Sequence, residues 1–203
     1  MKSTNTLILI LISFFCFQYS CKSNLQNEFS VGDYKLKIEI PKSFLEISTD
    51  EVNKISEEGK EISEHYGYKV IHDQRSIFFY RKGEFSLLKA KKYELEQNFI
   101  NDYKVNWSDM KGILFNILAK QTSEMDGATI DSLSNIKKIN GIEFYIFETN
   151  VYLLDLNNNQ VNLKSLRYST PIGNQDLVID ASFINQADGV DIIESLKSLR
   201  IEK

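Results

Sequence analysis

The sequence predicts an α+β domain, an antiparallel β-sheet with helices packed on it. Three observations carry that expectation. From Ala128 onward apolar and polar residues alternate with a period of two, in four runs separated by short turn signals. Earlier stretches around Val52 to Tyr66 and Trp107 to Leu118 instead repeat apolar residues at spacings of three and four, the period of a helix. The resulting order is strand, helix, two strands, helix, four strands, helix. Helices inserted between hairpin-joined strands favour an antiparallel sheet over alternating βαβ units.

The N-terminus precedes the domain. MKSTNT carries one positive charge, Lys2, ahead of an apolar run of 11 residues from Leu7 to Phe17, whereas a membrane-crossing helix needs about 20. A short basic start followed by a short apolar block describes a secretory signal peptide. Both cysteines, Cys16 and Cys21, fall in this region. A cysteine directly after the small residue Ser20, just beyond the apolar block, resembles the lipobox of bacterial lipoproteins. Gln18 stands where that pattern usually has Leu, Val or Ile.

The resemblance implies that residues 1–20 are removed and that Cys21 becomes the lipidated first residue, tethering the protein to a membrane without spanning it. Two or more acyl chains hold a protein stably where one holds it only marginally. Residues 21–32 then read as the lipidated cysteine and a polar tether, and residues 33–203 as one domain of ordinary size. The expected location is the cell membrane or outer membrane, with the domain in the periplasm or at the cell surface. With no cysteine after Cys21, no disulfide can form within the mature chain, so packing must hold it together. Removing residues 1–20 leaves 23 basic and 28 acidic residues, interspersed in sign along the chain. Such a surface carries neither a nucleic-acid footprint nor a polybasic membrane patch.

Within the domain, YKLKIEI (Tyr34 to Ile40) alternates as a half-buried strand and stops at Pro41. Ser48 and Glu51 have capping-box spacing, and Gly67 is placed as a helix stop; between them Val52, Ile55, Ile62 and Tyr66 share a face. SIFFYRKGEFSLLKAKKY reads as a hairpin turning at Arg81 to Glu84. A second helix carries Trp107, Met110, Ile113, Leu114, Ile117 and Leu118 from about Asn106 to Met125, and Leu95, Phe99 and Tyr103 extend it backwards. Asn140-Gly141 is a strong hairpin signal, because both residues tolerate positive φ. Further turns at Asn157 to Asn159 and Gly173-Asn174 complete a four-stranded meander. A last helix, Ala187 to Leu199, presents Val190, Ile193 and Leu196 as its core face.

YKLKIEIPKSFLEIS, INGIEFYIFET and LVIDASF followed by IIESLKSLRI resemble the Mog1/PsbP-like α/β/α sandwich over most of residues 33–203. Phe44 stands where Trp is common in that pattern. The superfamily includes photosystem accessory proteins, a small GTPase-binding protein and bacterial lipoproteins. It shares architecture more than chemistry, so the resemblance implies a fold and assigns no functional residue.

Catalytic motifs are missing from the sequence. His65 and His72 lack metal-ligand spacing, and neither a nucleophile elbow nor a glycine-rich phosphate loop occurs. Asp176 and Asp180, four apart in the last strand, share a face that reads as solvated. Trp107 begins a helix, where it packs into the core or stands at a cleft mouth. No catalytic, metal or cofactor residue is assigned. The expected function is a non-catalytic envelope module that binds another envelope protein or supports an assembly. The alternatives are a carrier of a lipid or other apolar ligand, and a hydrolase built from scattered acids.

Overall fold

The computed structural model of the chain describes residues 25–67, 75–155 and 157–203. Cys16, Gln18, Cys21 and His72 lie outside the described residues. Ten strands and four helices follow one another as β1 (Leu25–Val31), β2 (Tyr34–Ile40), β3 (Leu45–Glu46), α1 (Thr49–His65), β4 (Arg75–Lys82), β5 (Ser86–Glu94), α2 (Gln97–Asn101), α3 (Tyr103–Ser123), β6 (Thr129–Ile139), β7 (Ile142–Leu154), β8 (Gln160–Ile172), β9 (Gln175–Phe183), α4 (Gln186–Lys197) and β10 (Arg200–Glu202) among the described residues.

The local signals are met by the elements they specify. Ser48 Oγ accepts the Glu51 backbone N–H at 3.4 Å and starts α1, which ends before Gly67 at φ +84°. Asn140 at φ 47° and Gly141 at φ 89° make the tight β6–β7 turn, a backbone that costs glycine nothing and asparagine little. Strands β6 to β9 form the expected meander, each antiparallel to the next.

The strands belong to two sheets, one of three strands ordered β1-β2-β10 and one of seven ordered β3-β4-β5-β9-β8-β7-β6. This corrects two expectations. The segment read as tether contains β1, whose seven residues pair in register with β2 from Leu25↔Ile40 to Val31↔Tyr34. Its sequence, LQNEFSV, is polar because only one side meets the core; Val31 is buried and Phe29 packs on Phe78 at 4.7 Å between ring centroids. The strand YKLKIEI lies in the small sheet between β1 and β10, and is absent from the large one.

The small sheet and α4 cover one face of the large sheet. Leu36, Ile38 and Ile40 meet Leu88, Ala90, Phe144, Ile146, Leu177 and Ile179 there, with Ile192, Leu196 and Leu199 from the α4 region. Each such side chain contributes about 1.5–3 kcal/mol when fully buried. The core face of α4 departs from the predicted Val190-Ile193-Leu196 stripe: Val190 and Ile193 are exposed, and Gly189, Ile192 and Leu196 face inward. Both sets have helical spacing, and tertiary packing chooses between them because Phe183 needs the space over a residue without a side chain.

A Cβ on Gly189 would stand 2.5 Å from Phe183 Cε2 and 2.8 Å from Cδ2. Gly189→Ala is therefore expected to destabilise the fold. Alanine gains about 1 kcal/mol of helix propensity, but overpacking a buried ring costs about 1–3 kcal/mol. Differential scanning calorimetry should show a lower midpoint; an unchanged or higher one removes the packing argument.

Candidate functional site

On the other face of the large sheet sit α1 and α3. Alternation along each central strand places one register row under both helices, Lys89↔Asp180↔Arg167↔Phe147 across β5, β9, β8 and β7. The next row is Leu87↔Ser182↔Ser165↔Thr149. Tyr103 and Trp107, on the first turns of α3, are buried against Tyr145 and Phe147, so Trp107 is a core residue. Phe99 joins them from α2; the predicted backward extension of the helix reaches Gln97, broken at Asp102, while Leu95 packs on the cluster from outside the helix.

Further along, the two helices cover the sheet incompletely: Met110, Leu114 and Phe115 of α3 still pack on the Tyr145 and Phe147 cluster, while much of α1 is exposed. Val52 is the buried residue of the 17-residue helix α1, and Ile62 on the same helix is exposed. Leu114, Ile117 and Leu118 of α3, predicted as a core stripe, are half-exposed. They wall a cleft of about 330 Å3 whose floor is Leu87, Lys89, Phe147, Arg167 and Asp180, with Ser63 on the α1 side. A smaller space of about 140 Å3 under α1 shares Ser63 and Lys89 with it and adds Lys60 and Lys91. The two helices join beyond the cleft, where the Tyr66 hydroxyl donates to Glu124 at 2.9 Å. At its other end α1 is held by an ion pair of 2.6 Å between Arg81 and Glu51.

Asp180 is gripped by Arg167 through two hydrogen bonds, Nε at 2.6 Å and Nη2 at 3.1 Å. Lys89 Nζ stands 3.9 Å from the same carboxylate. Burial alone would raise the Asp180 pKa, and the Arg167 and Lys89 charges outweigh it and hold it below the ordinary value. Arg167 is raised in turn, the Asp180 carboxylate outweighing its loss of water. Side-chain exposures of 24% for Lys89, 24% for Arg167 and 18% for Asp180 leave all three reachable from the cleft. Lys91, two residues along β5, is pushed down to about 8 by burial and by the charge of Lys89.

Asp176 behaves differently. It is 3% exposed, and the Tyr103 hydroxyl donates to its Oδ1 at 2.6 Å. Burial pushes its carboxyl up to about 7, with the Tyr103 bond and the Arg167 charge offsetting part of the effect. The same burial pushes Tyr93, opposite it on β5, up to about 12. Asp176 and Asp180 do share a face, as their spacing requires, but helices roof that face and it is not solvated. Asp176 is sealed beneath Tyr103 and Asp180 opens to the cleft, so the two do not form an exposed acid/base pair.

His65 is exposed at the end of α1, its ring edge-on to Tyr66 at 5.1 Å. Lys89 and Arg167 were not singled out by sequence. Their signal was charge at inward positions of otherwise apolar strands, SLLKAKKY and LKSLRYST. That signal is readable only once the roofed face is known.

No protein-family description matches the chain, and no curated protein matches it. Among solved structures it is similar to the cyanobacterial PsbP protein CyanoP of Synechocystis sp. PCC 6803, at 13% identity and a TM-score of 0.50, over 90% of this chain and 96% of that one. A protein from Bacteroides thetaiotaomicron VPI-5482 also aligns, at 9% identity and a TM-score of 0.41, over 83% of this chain and 45% of that one. At such identity the likeness to CyanoP concerns architecture: the chain has an α+β fold of the PsbP-like type.

Proposed function

We propose that the chain is a bacterial lipoprotein, tethered to a membrane through Cys21, whose domain is a non-catalytic binding module of the cell envelope. The observation that carries the binding reading is the cleft between α1 and α3. Two helices leave apolar side chains half-exposed over a charged floor, whereas a domain with nothing to bind gains by closing such a gap, since each buried methylene is worth about 0.8 kcal/mol. A cleft of about 330 Å3 falls in the roughly 300–1,000 Å3 range of small-molecule sites. Its apolar walls favour a carrier of an apolar ligand as the specific form of the module. An envelope protein bound across the two helices is the other.

Supporting the tether are the signal-like N-terminus and the small Ser20 before Cys21. Among the described residues no helix is long and apolar enough to cross a membrane. Because β1 begins at Leu25, three residues separate it from Cys21 and span at most about 14 Å. A lipid on Cys21 therefore holds the domain against the membrane surface.

Labelling with a clickable fatty acid tests the anchor. The native chain should be labelled, and Cys21→Ala should lose the label and leave the membrane fraction. An unlabelled native chain, or a Cys21→Ala variant that partitions unchanged, overturns the tether. Native mass spectrometry of protein from its own envelope tests the module: a stoichiometric ligand or partner should be retained, and Ile117→Trp, which fills the cleft, should lose it. A native chain that retains nothing counts against the module.

A further inference from the structure

We infer that the cleft between α1 and α3 takes an anionic amphiphile, an apolar chain of medium length ending in a carboxylate or phosphate monoester, with Lys89 as the cation that receives the headgroup. The inference rests on the binding-module reading and gives that site its ligand class.

The walls decide the chain. Leu87, Leu114, Ile117, Leu118, Phe147 and Ala181 line the cleft, and the α3 members stay half-exposed, Leu114 packing in part on the Phe147 cluster. An apolar chain laid between the helices removes this surface from water, the dominant gain in sites of this kind. The volume of about 330 Å3 suits one chain; a two-chain lipid would have to leave its second chain outside.

The floor decides the headgroup. Its charged lining residues are Lys89, Arg167 and Asp180, two cations against one carboxylate. The charges are not shared equally. Both ends of the Arg167 fork are spent on Asp180, at 2.6 and 3.1 Å, and a bidentate pair of this geometry is the stronger kind of ionic contact. Lys89 lies at 3.9 Å, beyond hydrogen-bond distance, and its ammonium sits 5.6 Å from the centre of the Phe79 ring. The surplus positive charge thus rests on Lys89, a three-quarters-buried lysine at the junction of the cleft and the smaller space under α1. A partly dehydrated cation attracts an anion more strongly than an exposed one does. A cationic or neutral headgroup gains nothing there. Ser63 and Ser182 line the same cleft, but their hydroxyl protons are donated to the Gly59 and Phe85 carbonyls at 3.0 and 3.1 Å, so recognition of the headgroup rests on Lys89.

Photo-crosslinking of the full chain in its membrane tests the assignment, using diazirine derivatives of decanoate, decyl phosphate and decyltrimethylammonium. The two anionic probes should label residues of α3 around Leu114 to Leu118 saturably, and the one that saturates at lower concentration identifies the headgroup. Lys89→Gln should raise the half-saturating concentration at least ten-fold, and Lys89→Arg should restore most of it. Lys89→Arg should match the native unfolding midpoint, and Lys89→Gln, which takes one of two cations from Asp180, should have a lower midpoint but stay folded at the labelling temperature, which separates lost binding from lost fold. Equal labelling by the cationic probe, labelling outside the cleft, or saturation unaffected by Lys89→Gln overturns the ligand class. No anionic labelling together with a partner still lost on Ile117→Trp overturns the ligand class and leaves the binding module standing. No labelling and no retained partner overturns both.

Discussion

Replacing Asp188 by alanine should lower the unfolding free energy by about 2–4 kcal/mol, because three donors converge on this buried carboxylate. Asp188 is 4% exposed and lies in the first turn of α4. Ser86 Oγ donates to it at 2.5 Å, Asn185 Nδ2 at 2.7 Å and Lys82 Nζ at 2.5 Å. Asn185 completes a reciprocal cap, its Oδ1 accepting the Asp188 backbone N–H at 2.8 Å. Lys82 is 38% exposed and rehydrates when its partner goes, so water screens its share. Ser86 is buried and bears most of the cost. Asp188→Asn keeps the shape, loses the charge, and should cost about half as much. Urea unfolding with an unchanged m-value is the measurement; a loss below about 0.5 kcal/mol for the alanine variant refutes the account.

The pH dependence follows in sign. Burial would raise the Asp188 pKa, but the Lys82, Ser86 and Asn185 bonds outweigh it and hold the group below the ordinary value. A depressed carboxylate contributes stability above its unfolded pKa of about 3.9 and loses it as pH falls through the lower folded value. The gap between native and Asp188→Ala proteins should therefore narrow in acid.

Asp176 should produce the opposite slope, and Asp176→Asn should make the protein more stable than the native chain at pH 8. The Asp176 carboxyl is pushed up to about 7 by burial, so the folded state binds a proton that the unfolded chain releases near pH 4. Stability is then lost as pH rises from about 4 through 7, by an amount on the order of 4 kcal/mol. Asparagine is neutral throughout and its carbonyl can still accept the Tyr103 hydroxyl, which now donates at 2.6 Å. Melting curves of the two proteins from pH 4 to 8 should coincide near pH 4 and separate upward, with the variant higher. Parallel curves would show that Asp176 is ionised throughout. Arg167 and Asp180 remain in both proteins; their charges act on Asp176 in opposite directions, and burial is the larger cause of the difference.

Much of the fold was legible because its determinants act over a few residues. The Ser48 cap, the Asn140-Gly141 turn and the β-favouring run IEFYIFET act over a few neighbouring residues, and each produced its expected element. Strand β1 was missed for a physical reason as well. LQNEFSV has the composition of a tether, and it becomes a strand because β2 offers it seven backbone partners. Likewise β3 and β10, of two and three residues, are too short to carry a period and exist only by pairing with β4 and β2.

The candidate site was the least legible part. Lys89, Arg167 and Asp180 lie on three strands and come from positions 91 residues apart at the extremes. Each separately looks like a charge on the solvated side of a sheet. The sequence by itself determined which residues alternate, where the chain turns, and that Asp176 and Asp180 share a face, since these depend on neighbours along the backbone. Only the tertiary structure decided that helices cover this face, that Tyr103 seals Asp176 while Asp180 opens to a cleft, and that α4 turns Gly189 and Ile192 inward in place of Val190 and Ile193. Those outcomes depend on how whole elements dock, and docking is set by the summed packing of side chains far apart in sequence.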